Sequence, residues 1–241
     1  MPGRDVTLSI VSHGQNALVN QLLRDVQRVC AGRVALVLTQ NIADPDALAA
    51  GPLECAPEII VNPQPRGFGA NHNAAFRRCC TPFFCVANPD VHLPADPFPA
   101  LLQAVAGPHA AVAGPLVRNP EGGVEDSARR FPTAGSLLKK LFSETRAPDY
   151  PADQGPLEVD WLAGMFMLFR SDAYRAVGGF DEAYFLYYED VDICRRLRKS
   201  GNAAVYEPRA EVVHDARRAS RREAGLALHH MKSALRFLSR G

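Results

Sequence analysis

Residues 6–11 form a mostly apolar, β-branched run that stops at Ser12-His13-Gly14, and a helical spacing of apolar residues over 18–29 follows at once. The chain therefore opens with a βα unit. The alternation continues, with strands expected over 34–38, 58–61 and 83–87 and a helix over 71–78 between the last two. Strands that alternate with helices dictate an α/β fold with a mostly parallel sheet covered on both faces. Beyond residue 90 the spacing predicts a helix over 97–106, a strand over 110–114 and a turn over 118–123. It then predicts a strand over 159–169, a helix over 171–177 capped by Ser171, and short strands over 203–206 and 211–214. Residues 133–156 carry no period, and an irregular stretch of that length in a compact domain is expected to cover a site or to lack order.

Two acidic clusters sit where an apolar stretch meets a turn, the position at which α/β proteins build their sites. Asn88-Pro89-Asp90 follows a buried-type strand, which would deliver Asn88 and Asp90 to its carboxyl-terminal rim, and makes Asp90 a candidate ligand for a hard cation. Glu189, Asp190 and Asp192 open a segment whose apolar positions Val191, Cys194 and Leu197 recur at helical spacing. Carboxylates in a first turn also favour the helix dipole, so a plain capped helix is the alternative reading.

Bulk properties narrow the classes. At 241 residues with net charge +1 the chain fits one sizeable domain and lacks the basic excess of a dedicated nucleic-acid binder. Six cysteines follow no metal-site rhythm and no signal-peptide pattern opens the chain, so reduced thiols in the cytoplasm are expected. No run reaches the roughly 20 apolar residues of a spanning helix. The tail after Asp215 is different: Arg217, Arg218, Arg221, Arg222, Lys232, Arg236 and Arg240 face a single acid, Glu223. Its Leu226, Leu228, Met231, Leu235 and Leu238 are spaced as an amphipathic helix. Two readings stand, a basic helix packed on the domain or peripheral contact with the inner face of the membrane. The expected division is a domain over 1–215 and this tail over 216–241. Pairing of two copies as a homodimer through the tail stays open.

Taken in order, VSHG, PRGFGANHNAAF, VANPDVHL, SARRFPT, WLAGMFMLFR, GGFDEAYFLYYEDVDICRRLRKSG and EPRAEVVHD resemble the family 2 glycosyltransferases, especially bacterial rhamnosyltransferases of surface polysaccharide assembly. The resemblance covers nearly the whole chain. It implies a GT-A fold, a three-layer α/β/α arrangement around a mostly parallel mixed sheet. It also implies a nucleotide-diphosphate sugar donor, a saccharide or lipid-linked acceptor, and Mg2+ or Mn2+ as cofactor.

On that resemblance Asp90 and His214 would hold the cation, with Asn88 at the first position of a DxD-like motif. Asp190 would be the base that deprotonates the acceptor, and Glu189 would orient acceptor or base, crowding by Glu189 and Asp192 raising the proton affinity of Asp190. Donor binding is expected from Ser12, Gln40, Asn41, Arg66, Gly67, Gly69 and Asn73, the two glycines giving the nucleotide a close approach to backbone. Arg129 and Arg130 would clamp phosphate, whereas Trp161, Gly164, Met165 and Asp192 would line the sugar side. Each has a plainer alternative, such as a solvated basic turn for the arginines or core packing for Trp161. The acid that the family carries after its second strand is missing, since Thr39-Gln40-Asn41 stands there. That departure keeps a non-catalytic nucleotide-sugar binder or scaffold in view as the competing class.

Overall fold

A computed structural model describes residues 4–30, 32–48, 56–133, 135, 148–152, 154–215 and 224–240. Most of the irregular 133–156 stretch, and Arg217, Arg218, Arg221 and Arg222 of the tail, lie outside the described residues. The elements in chain order are β1 (Val6–His13), α1 (Asn16–Val29), β2 (Val34–Ile42), β3 (Glu58–Val61), α2 (Phe68–Phe76), β4 (Phe83–Ala87), β5 (Val91–His92), α3 (Phe98–Val105) and β6 (Ala110–Arg118). They continue with β7 (Ala128–Arg129), β8 (Leu157–Val159), β9 (Trp161–Leu162), β10 (Phe166–Arg170), α4 (Ser171–Ala176), α5 (Glu189–Lys199), β11 (Ala203–His214) and α6 (Ala224–Ser239).

Among the described residues nine strands make one sheet in the order β3-β2-β1-β4-β10-β6-β11-β5, with β8 also paired to β11. Strands β3, β2, β1 and β4 run parallel, β10 lies antiparallel between β4 and β6, and β11 runs parallel to β6. Alternation along each strand divides the core. Cys85 and Ala87 of β4, with Phe166 and Leu168 of β10, pack with α1 and α3 residues such as Leu22 and Leu101. Their neighbours Phe84, Val86, Met167 and Phe169 pack on the other face with Tyr174, Val191 and Leu197. Two buried faces explain the continuous apolar runs and give the three-layer α/β/α architecture.

Three expectations change. The single strand expected over 159–169 is three pieces, broken at Asp160 and at 163–165. The two strands expected over 203–214 are one, β11, whose register with β6 slips between Glu207 and Glu211. Ser171 does not cap α4: Arg170 holds the cap position, and the Ser171 hydroxyl donates to the Thr81 carbonyl at 2.9 Å.

Gly67 and Gly69 let two segments of the chain come close. A Cβ on Gly67 would lie 2.6 Å from the Phe185 carbonyl oxygen, and one on Gly69 would lie 2.6 Å from Cβ of Phe180. Both contacts dock α2 against the loop that leads into α5. Gly67→Ala must push backbone away from backbone, and overpacking of this kind costs about 1–3 kcal/mol. Thermal denaturation of Gly67→Ala is expected to show a melting temperature several degrees below wild type, and an unchanged value would mean the loop is not held by this contact.

Candidate active site

The carboxyl end of β4 delivers Asn88-Pro89-Asp90, and the short strand β5 begins directly after. Antiparallel pairing of β5 with β11 sets His214 opposite Val91, and the Asp215 amide donates to the Asp90 carbonyl at 3.0 Å. Asp90 and His214 are thus brought together by main-chain pairing. The Asp90 Oδ1 to His214 Nε2 distance is 3.3 Å. It is an ion-pair separation without hydrogen-bond alignment, so Asp90 Oδ1 is a buried oxygen with no aligned donor among the described residues.

The other imidazole nitrogen, Nδ1, lies 2.9 Å from Oε2 of Glu125. Glu125 is anchored by its own amide, which donates to Val117 of β6 at 2.8 Å. A carboxylate behind a ring nitrogen orients the imidazole and leaves the opposite nitrogen to face a ligand, a common arrangement behind metal-binding histidines. Burial would lower the His214 pKa, but the adjacent carboxylates of Asp90 and Glu125 overcome it and raise the value above 6.5. Two acids around one imidazole leave the group anionic even when the ring is protonated. Among the described residues no set of three or more acidic, His or Cys side chains is arranged as a complete metal cage. A cation here would take two protein ligands and fill its remaining positions from the substrate or water, as hard divalent ions commonly do.

The 163–165 break joins this cup to the second acidic cluster. The Asn88 amide donates to the Met165 carbonyl at 2.9 Å, and the neighbouring Gly164 amide donates to Asp190 Oδ2 at 3.0 Å. Asp190 Oδ1 accepts from the Val191 amide at 2.8 Å in the first turn of α5. Both carboxylate oxygens are aimed by backbone donors. Burial is the main reason the Asp190 pKa is raised, and the two amides and the Arg129 charge oppose it.

Like-charge crowding acts elsewhere than expected. Glu189 is buried, and burial first, then repulsion by Asp190, pushes its carboxyl well up. Asp192 is buried and neutralised by Arg195 at 3.4 Å and Arg196 at 2.7 Å. It forms a buried ion-pair cluster with both arginines.

The loop before α5 is strained. Tyr187 and Tyr188 both have φ of 69°, a left-handed conformation costly for bulky residues, at about 1–3 kcal/mol each. Packing holds them there. The Tyr188 ring is buried against His230 and Phe237 of α6, and the Ser233 hydroxyl of the same helix donates to the Leu186 carbonyl at 3.0 Å.

Several expected donor contacts are otherwise engaged. Ser12 Oγ accepts from the Gln15 amide and donates to Asn16, closing the turn into α1. The Asn41 amide pairs with both the N–H and the C=O of Arg66. It fixes the loop before α2. The Arg66 guanidinium lies 3.2 Å from Glu182. Asn73 accepts from the Phe180 amide and donates to its carbonyl, clamping the segment before α5. Gln40 is half-buried at the end of β2. Trp161 is buried, donates to the Arg130 carbonyl and lies under the Arg129 guanidinium, so it packs rather than offering a stacking face. Arg129 pairs with Asp126, and Arg130 lies over Tyr150. Of the two, Arg129 is the one whose charge reaches Asp190. His72, buried with its pKa held down to about 3, bonds Ser9 and is a core residue.

Glu125 and the strained tyrosines escaped the sequence reading. Glu125 follows a glycine turn with no motif around it, and no composition signal marks a left-handed Tyr-Tyr pair.

A family model described as Glycosyltransferase like family 2 matches residues 2–231. The chain belongs to that family. The N-acetylglucosaminyl-diphospho-decaprenol L-rhamnosyltransferase of Mycobacterium tuberculosis is 41% identical over 169 residues, covering 64% of this chain and 54% of its own. This chain thus spans about half the length of that relative. Rhamnosyltransferase WbbL of Escherichia coli K12 is 28% identical over 258 residues, covering 98% and 93%. Two solved structures share the fold. GalNAc-T7 with UDP, GalNAc and Mn2+ has a TM-score of 0.68 at 13% identity over 89% of this chain and 44% of its own. The mannosyltransferase PcManGT of Pyrobaculum calidifontis with GDP-Man and Mn2+ has a TM-score of 0.66 at 16% identity over 98% and 65%. The fold shared with these structures is the GT-A arrangement that the motifs implied.

The imidazole cup generates a measurable titration. Because the folded His214 pKa is raised, cation-free protein gains stability from this group that is complete below pH 6.5 and lost as pH rises through the folded value. In Glu125→Gln the His214 titration followed by NMR is expected to move down toward 6.5, with that pH-dependent stability reduced. An unmoved titration would separate Glu125 from the imidazole.

Proposed function

We propose that this chain is an inverting, divalent-cation-dependent glycosyltransferase that moves a deoxyhexose, rhamnose from dTDP-L-rhamnose, onto a saccharide or lipid-linked acceptor in cell-surface polysaccharide assembly. The observation that carries the reading is the pair of acidic stations held on consecutive residues of one backbone break. Asn88, two residues before Asp90, is tied to Met165, and Asp190 is tied to Gly164. The names of the mycobacterial and enterobacterial relatives supply the sugar and the lipid-linked acceptor class.

Asp90 and His214 fit a cation through the undonated Asp90 oxygen and the exposed lone pair that Glu125 enforces on Nε2. Mg2+ or Mn2+ bound there would neutralise the departing diphosphate. Asp190 is the base: it takes the acceptor hydroxyl proton as the new glycosidic bond to C1 forms and the bond from C1 to the diphosphate oxygen breaks. Attack opposite the leaving group inverts the anomeric carbon. Burial raises the Asp190 pKa, which makes its carboxylate a stronger base than an exposed one. Arg129 lies near enough to stabilise the ionised Asp190 and to meet a phosphate.

Sugar transfer from dTDP-L-rhamnose to a lipid diphosphate saccharide is expected to stop on chelation and return with Mn2+. Asp190→Asn is expected to lower kcat by about 10²-fold or more while donor-dependent thermal stabilisation persists. Metal-independent transfer, or full activity in Asp190→Asn, would remove the mechanism. Donor binding without turnover in the wild type would favour the scaffold reading.

A further inference from the structure

Helix α6 closes over the turn that starts α5. The Ser233 hydroxyl donates to the Leu186 carbonyl at 3.0 Å, a contact across 47 residues of chain. The His230 ring lies 5.3 Å from those of both Tyr187 and Tyr188, and the Phe237 ring lies 5.7 Å from that of Tyr188. Phe237 is buried, with the Arg195 guanidinium 3.9 Å from the centre of its ring and the same arginine donating to its carbonyl at 3.0 Å. Arg236 and Arg240 both reach Asp181, where the segment begins. All these contacts fall between residues 181 and 195, the stretch that contains Asp190.

The turn does not hold its own shape. Among the described residues Tyr187 and Tyr188 are the two non-glycine residues with positive φ, a conformation that bulky side chains avoid. Tyr188 is also the residue from which α5 begins, and no side chain caps that end. Relaxation at either tyrosine therefore rotates the first turn of α5, and the Asp190 carboxylate with it. That carboxylate is held between the Gly164 amide at 3.0 Å and the Val191 amide at 2.8 Å. Val191 lies on the same helix and turns with Asp190, whereas Gly164 does not. Hydrogen bonds weaken steeply with misalignment, so the Gly164 contact is the one that a rotation breaks.

We infer that Phe237 and Ser233 of α6 are positioning residues for Asp190, holding the left-handed Tyr187-Tyr188 turn and so keeping the carboxylate on the Gly164 amide. They act through the turn and not on the reacting atoms. The kinetic half of this inference rests on the transferase reading, in which Asp190 is the base; the geometric half requires no turnover. The competing role for α6 is to cover apolar surface, which would add stability and leave Asp190 where it is.

The test follows Asp190 in the full chain by two readouts, kcat for sugar transfer and the Gly164 amide proton in NMR spectra. In Phe237→Ala the Gly164 proton is expected to move upfield and to exchange faster with solvent. In the same variant kcat should fall about tenfold with the donor KM unchanged. Ser233→Ala removes one hydrogen bond and should show the same changes at smaller size; it serves alone if Phe237→Ala does not fold. Val105→Ala, buried on the α3 side of the sheet, supplies the comparison for lost stability: a lower melting temperature with Gly164 and kcat unmoved. Asn enters the left-handed region more readily than Tyr. In a Tyr187→Asn background Phe237→Ala should therefore lower kcat only about threefold or less, the difference being the coupling between helix and turn. An unmoved Gly164 proton in the folded α6 variants, or an equal kcat loss in both backgrounds, overturns the inference. So does the same Gly164 shift in Val105→Ala, since general loosening would then explain it. A Gly164 shift in α6 variants of a chain that transfers no sugar would sink the transferase reading and leave the positioning standing.

Discussion

The interruption between β9 and β10 is the constraint on which the site depends. At residues 163–165 the chain leaves regular pairing, and its freed backbone groups are used at once, Gly164 donating to Asp190 and Met165 accepting from Asn88. Main-chain groups cannot be left unpaired inside a protein. Satisfying two of them with the two acidic motifs places both stations by the same requirement that shapes the sheet. A Cβ at Gly164 would lie 3.3 Å from the Phe68 ring and 3.6 Å from the Asp190 carboxylate. The small residue therefore permits the approach while its N–H aims the carboxylate.

The two stations differ in how they treat charge. Around His214 two carboxylates hold an anionic cup. At Glu189 and Asp190 burial raises both carboxyls, with Arg129 near Asp190 and Asp192 paired with its own arginines. A carboxylate aimed by backbone donors in a partly closed setting is well suited to proton transfer.

The α/β class and most strand positions were legible in the sequence because they rest on local signals, apolar runs and helical spacing, and both acidic clusters were visible as motifs at strand ends. The loop contacts were not. Asn41, Asn73, Ser12, Gly67 and Gly69 have residue types suited to a nucleotide, and each also serves the backbone or side chains of a loop, because polar and small residues are what tight loop packing requires. Spacing cannot distinguish the two uses. Glu125 was hidden for a different reason, since it meets His214 across 89 residues through a register that only the assembled sheet defines.

That separation has a consequence for assembly. Contacts between residues far apart in the chain close large loops and form late. The acid–imidazole cup needs β5, β6 and β11 aligned, so a nascent or locally opened chain lacks it even where its first βα units are folded. On the proposed reading, the capacity to hold a cation beside the donor therefore arrives only with the finished sheet.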